Sequence, residues 1–248
     1  MARLSGAFLL IGLSCLGCAP PRVKALRRPL PTLPPPQAAI EWQESFETLD
    51  PERWRHIKVH GATTYRIVEL DGRRCLLAES SGGASILLTV VSIDPRVSPW
   101  LSWTWRVDQP IAGEALEHRS GSDASARVYV YFETPGLPWQ KRNLDYVWST
   151  ALPVGTSMSS AFTSQSHILV VTAGAPSIGR WETVERQLVE DYRRAFGGEP
   201  PRVVAIGVMN DTDDTGSAAT AYFDDVRISR APFHPQAAAS SAYTATEE

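Results

Sequence analysis

Residues Leu101-Ser102-Trp103-Thr104-Trp105-Arg106-Val107 alternate apolar and polar side chains without a break. A segment of that period can bury its apolar set only as a pleated strand, with one face inward and one outward. The same period marks Ala126-Arg127-Val128-Tyr129-Val130-Tyr131-Phe132 and Ala221-Tyr222-Phe223-Asp224-Asp225-Val226-Arg227-Ile228. Residues 41–46, 65–70, 74–79, 85–93, 144–148, 167–172 and 202–209 also read as strands, about ten in all. Asp71-Gly72 separates two of them and favours a type I′ hairpin, whose central positions both need positive φ. Residues 50–54 form a turn whose Trp54 caps the core.

One stretch has helical spacing. From 181 to 196 the apolar residues Trp181, Val184, Leu188, Tyr192 and Phe196 recur at three and four, with Glu182–Arg186 and Glu190–Arg194 as i,i+4 pairs and Gly197-Gly198 as a stop. The expected fold is therefore all-β, a jelly-roll-like antiparallel β-sandwich with one amphipathic helix lying on it. With 248 residues, 43% of them hydrophobic, one core of this size is within reach.

The termini have a different character. Arg3, the apolar run 7–13 and Cys15-Leu16-Gly17-Cys18 read as an export signal, too short to span a bilayer. Gly17-Cys18 resembles a bacterial lipoprotein processing site, which makes Cys18 the candidate lipidated residue, with ordinary secretion as the alternative. Ala19, where inner-membrane retention favours Asp, points to an outer-membrane lipoprotein facing the periplasm or the cell surface. Residues 19–39 hold seven prolines and four basic residues and read as an extended tether, and 231–248 as an unstructured tail. The globular domain is 40–230. Five of the 24 basic residues and none of the 27 acidic ones lie in residues 1–37, so the remainder carries a net charge of −8. An acidic domain is a poor partner for a phosphate backbone, which excludes nucleic acid as the expected ligand. With cleavage at Cys18 only Cys75 is left, expected as a small buried hydrophobe.

Two resemblances add to this. The closing stretch 221–228, after the acidic turn Asp211-Thr212-Asp213-Asp214-Thr215-Gly216, is similar to the last strand of jelly-roll sandwiches of the carbohydrate-binding-module type. In those the last strand pairs with the first, and a carboxylate often helps to hold a structural calcium. The ordered series Leu101 to Val107, Ser122-Asp123 to Phe132, Asn143-Leu144-Asp145-Tyr146-Val147-Trp148, Glu185-Arg186, Asp191-Tyr192, Phe196-Gly197, Ala205 to Thr215 and Tyr222 to Ile228 resembles domain-of-unknown-function family 3047, a bacterial exported-protein family. That resemblance implies a β-sandwich and no particular activity. The chain departs from the family at Ser122-Asp123, where two adjacent acids are expected, which weighs against a ligand role that needs the pair.

Two constellations could carry function. In the first, Trp103, Trp105, Tyr129, Tyr131 and Trp148 would stack on sugar rings, with Arg106, Asp123, Arg127 and Asn143 bonding hydroxyls. Its alternative is that the rings are core. Tyr129 and Tyr131 are placed on one face, opposite Arg127, and the face carrying Arg106 and Arg127 is the stronger candidate, because a strand arginine needs a carboxylate or a ligand. In the second, Asp211 or Asp213 joins Asp225 and an N-terminal acid, Glu44 or Glu47, around a structural Ca2+. A solvated acidic loop is the alternative.

No serine elbow, zinc-binding histidine pair or phosphate loop is present. A carboxylate glycosidase built from Asp123, Glu133, Asp145 and Asp191 has no spacing to single out a pair. The expected function is non-catalytic binding of a glycan or cell-envelope polymer by an exported, lipid-anchored protein. The alternatives are a glycan-active hydrolase or lyase on the same sandwich, or a structural envelope component.

Overall fold

The computed structural model describes residues 39–135 and 141–233. The expected leader, Cys18, the tether and nearly all of the tail lie outside them. Thirteen strands pair into two sheets among the described residues. The first sheet has the order β11 (Glu182–Gln187), β6 (Trp100–Gln109), β13 (Ala218–Ser229), β4 (Arg73–Ser81), β3 (Thr64–Leu70), with β1 (Ile40–Glu44) also on β13. The second runs β2 (Trp54–His60), β5 (Ala84–Ile93), β12 (Val203–Asp211), β7 (Ala126–Phe132), β8 (Asn143–Ser149), β10 (Ser166–Ala173), β9 (Ser157–Ser159). All named pairs are antiparallel except β8 with β10, which is parallel.

The hairpin between β3 and β4 has Asp71 at φ 55° and Gly72 at φ 73°, with Leu70 opposite Arg73. This is the expected I′ geometry. The closing strand meets the opening one, Glu44 opposite Val226 and Ile40 opposite Ser229. β13 can serve both β4 and β1 on one edge because a bulge at Asp224–Asp225, with Asp225 at φ 52°, redirects it midway.

Between the sheets lies a single large aromatic core. Trp103, Trp105, Tyr146, Trp148, Phe132, Phe223 and Phe46 are all essentially inaccessible to solvent. Trp103 packs edge-on against Trp105 at 5.2 Å and, tilted by 42°, against Tyr146 at 5.3 Å. Trp54 caps one end, its Nε1 donating to Glu44 Oε2 at 2.9 Å. Cys75 is buried and unbridged, and burial raises its thiol to about 11, so it behaves as the expected apolar filler.

The segment 181–196 is not one helix. Residues Glu182–Gln187 form β11, paired with β6 in the register Glu182 with Trp105 to Gln187 with Trp100. Only Leu188–Phe196 is helical, as α1, capped by Gln187 Oε1 accepting from Glu190 N at 2.7 Å. The reason is backbone satisfaction. Without β11, β6 would be a sheet edge with unpaired amides over a nearly buried strand, and six residues of pairing outweigh weak helical spacing. Arg186 accordingly bonds Asp191 (2.5 Å) rather than Glu182, while the expected Glu190–Arg194 pair forms at 3.7 Å.

Candidate functional site

Alternation on β7 sends Ala126, Val128, Val130 and Phe132 into the core and Arg127, Tyr129 and Tyr131 to the outer face of the second sheet. The neighbours match this phase. On β8, Asn143 stands beside Tyr131 and Asp145 beside Tyr129; on β12, Met209 stands beside Arg127 and Gly207 beside Tyr129. These residues form the floor of a cleft of about 330 Å³, within the size range of small-ligand sites. One wall is the loop carrying Ser160, Phe162 and Thr163, and another is the acidic turn with Asp213 and Asp214. The segment between β6 and β7 covers the rest of this face, seating Leu116 and Ala124 on Val147, Ile168 and Val170 as a second, smaller core.

Arg127 organises the floor and is only 3% exposed. Its Nη1 donates to Asp145 Oδ2, its Nη2 to the Ser122 carbonyl at 2.5 Å, and its Nε lies 3.3 Å from Asp211 Oδ2. Burial opposes its charge, but Asp145 and Asp211 keep it firmly protonated. Burial also raises both carboxyls, against the pull of Arg127, and Asp211 is raised further by neighbouring carboxylates. One oxygen on each acid, Asp145 Oδ1 and Asp211 Oδ1, is buried with no hydrogen-bond partner, and Arg127 Nε makes its ion pair without hydrogen-bond alignment. Above this layer Tyr129 and Tyr131 stack at 5.7 Å with planes 26° apart, both half-buried and facing the cleft.

The structure divides the expected sugar-binding set. Arg127, Tyr129, Tyr131 and Asn143 share the cleft. Arg127 is on the tyrosines' face rather than opposite them, because it lies two positions before Tyr129 and a strand repeats every two. Trp103, Trp105 and Trp148 belong to the interior: they lie on the inward phase of β6 and β8, so they are core and not a platform. Arg106 is on the outer face of the other sheet, held by Asp71 (2.7 Å) and Asp108 (2.5 Å), so it shares no face with Arg127. Asp123 is fully buried beneath the acidic turn, accepting from Asp214 N (3.2 Å), Thr215 N (2.7 Å) and Thr215 Oγ1 (2.7 Å).

The expected calcium set divides as well. Asp211 and Asp213 line the cleft. Glu44 accepts from Trp54 and from Phe46 N, Glu47 lies 3.9 Å from Arg74, and Asp225 pairs with Arg227 at 2.5 Å. Val226, beside Asp225, is eight strand positions beyond Ala218, or about 26 Å at the rise of an extended chain. Ala218 follows the acidic turn, so Asp225, with Glu44 of β1 near it, stands toward the other end of β13 from that turn. The four acids considered for a glycosidase do not converge either, since Asp191, on α1, is engaged by Arg186 of β11 and Tyr146 of β8, and Glu133 is outside the cleft.

Asp214 is the functional candidate missing from the expected sets, and Asp145 was expected only among the glycosidase acids, not as part of a binding floor. Asp145 could have been found from the alternation of β8, which places it in phase with Asn143. Asp214 sits in the acidic turn itself, but nothing local to that turn points to Asp123.

A family model described as "Protein of unknown function (DUF3047)" matches residues 52–227. No curated protein matches. Among solved structures, the chain is similar to the family 11 carbohydrate-binding module of the cellulosomal cellulase Lic26A-Cel5E of Clostridium thermocellum, at 12% identity over 78% of this chain and 98% of that one, with a TM-score of 0.41. It is similar to the CBM22-1 xylan-binding domain of Paenibacillus barcinonensis Xyn10C at 13% identity, over 79% and 97% of the two chains, with a TM-score of 0.41. It is also similar to the family 30 module of the C. thermocellum cellulase Cel9D-Cel44B at 13%, over 76% and 97%, again at 0.41. Scores this low support no inference about a ligand.

Proposed function

This chain belongs to the DUF3047 family, and on that footing we propose, from the cleft itself, that it binds a glycan or related cell-envelope polymer without transforming it. One observation carries the reading: Asp145 Oδ1 and Asp211 Oδ1 are buried acceptors with no donor, under two stacked tyrosines that open to solvent. An unsatisfied buried acceptor costs about 1–3 kcal/mol. A polyhydroxylated ligand supplies the missing donors, and its C–H faces cover the tyrosine rings. The acids outnumber Arg127 in the cleft, which favours neutral or amine-bearing sugars over uronic acids. On the same reading the protein is exported and anchored through Cys18 as an outer-membrane lipoprotein, a reading supported by the short apolar run 7–13 and by Gly17-Cys18.

Affinity electrophoresis against a panel of neutral, amino- and acidic polysaccharides tests this. Tyr129→Ala and Tyr131→Ala should each weaken binding about tenfold, which corresponds to about 1.4 kcal/mol, in variants that still unfold cooperatively. Undiminished retention in both variants would remove the cleft from the account. A second reading rests on Asp145 and Asp211 sharing Arg127 while burial raises both carboxyls, an arrangement suited to acid–base work. New reducing ends or unsaturated products from wild type, absent with folded Asp145→Asn, would establish an enzyme instead.

A further inference from the structure

The acidic turn at the cleft rim has the arrangement of a cation site. Asp123, Asp213 and Asp214 each bring one carboxylate oxygen to within 4.8 Å of the other two. Oxygens bound to one calcium lie 2.3–2.6 Å from it, so any two are at most about 5 Å apart. The three oxygens therefore fit a single coordination sphere.

Charge compensation from protein side chains is slight. Arg127 is already shared by Asp145 and Asp211. His60 reaches Asp213 Oδ2 at 3.2 Å from a position that is 72% exposed. An independent feature points the same way: Asp211, 7% exposed, lines the same cleft, and its Oδ1 is buried with no hydrogen-bond partner. Three carboxylate oxygens within 4.8 Å of one another repel unless a proton or a cation lies between them. The turn is also built in advance. Asp123 fixes the amides of Asp214 and Thr215, and Thr212 Oγ1 bonds Ser80 at 2.9 Å, so the oxygens are held in place by the sandwich.

We propose that Asp123, Asp213 and Asp214, flanked by Asp211, bind one calcium ion at the rim of the tyrosine cleft. Calcium suits an all-oxygen, irregular set of carboxylates, whereas magnesium requires near-octahedral geometry at shorter distances. Asp213 and Asp214 both face the cleft, so coordination positions not filled by protein open toward a bound ligand's hydroxyls. The site differs from the one expected from sequence: Glu44, Glu47 and Asp225 take no part.

The test uses the whole chain, stripped with chelator and titrated calorimetrically with calcium chloride or magnesium chloride, with no polysaccharide present. Expected are one saturable calcium site, much weaker magnesium binding, and a melting temperature raised by millimolar calcium. Asp213→Asn/Asp214→Asn should abolish both effects, yet melt in chelator at or above wild type, because the repulsion is relieved. The exposed single variant Asp214→Asn covers the case in which the double variant does not fold, and should weaken calcium at least tenfold. Absence of calcium heat and of any melting shift in wild type overturns the proposal, as does a shift undiminished in folded variants. Magnesium binding as tight as calcium overturns the choice of ion. With no polymer in the cell, failure here leaves polymer binding standing, and the converse holds.

Discussion

Asp224 links a single carboxyl to the stability of the closing strand. Burial, then the adjacent Asp225, raise it to about 6, although Arg73 Nη1 at 2.8 Å pulls the other way. The folded protein thus holds a proton that the unfolded chain releases near 3.8. The folded-state pKa is the higher one, so this contribution to stability is complete below about pH 4 and is lost as pH rises through about 6. Urea midpoints measured across that window should fall with rising pH in wild type and fall less in Asp224→Asn. Equal slopes would mean that Asp224 is not the group. Residue chemistry at this scale was only half legible. That Arg127 needed a carboxylate followed from its place on a strand. That it takes two, Asp145 from β8 and Asp211 from β12, depended on which strands flank β7.

Among the elements, the β3–β4 hairpin is the one whose geometry local sequence dictates most strongly. Gly72 has φ 73° with open space where a Cβ would stand, so a side chain there meets a conformational penalty and no clash. Gly72→Val should cost about 1–2 kcal/mol in denaturant unfolding, with ligand affinity unchanged because the hairpin belongs to the other sheet. A loss of affinity would reveal coupling between the sheets. The segment Glu182–Gln187 is the counter-example. Its spacing suits a helix, yet it is a strand because β6 presents an edge that only a strand can complete. Local period loses where a long-range hydrogen-bonding demand is larger.

For the whole molecule, the proposed anchor makes its own prediction. Cys18→Ser should move the protein from the membrane fraction to the soluble one after cell lysis; retention in membranes would remove lipidation at Cys18. Period-two alternation, an Asp-Gly turn and helical spacing confined to 181–196 determined from sequence alone that the domain is a β-sandwich, because backbone pleating ties side-chain phase to burial residue by residue. Alternation also implies that Arg127, Tyr129 and Tyr131 share a face, yet Arg127 was expected opposite the tyrosines, a phase that the structure corrects. Alternation says which residues share a face, but not which sheet the strand joins or whether that face turns inward. Trp103, Trp105 and Trp148 were therefore indistinguishable from a ligand platform until the two sheets closed over them. Nor could spacing unite Asp123 with Asp213 and Asp214, about 90 residues apart, since the turn after β12 meets the segment before β7 only because those strands are neighbours. Phase along a strand is a local property of the chain; adjacency between strands is decided by how the whole core packs.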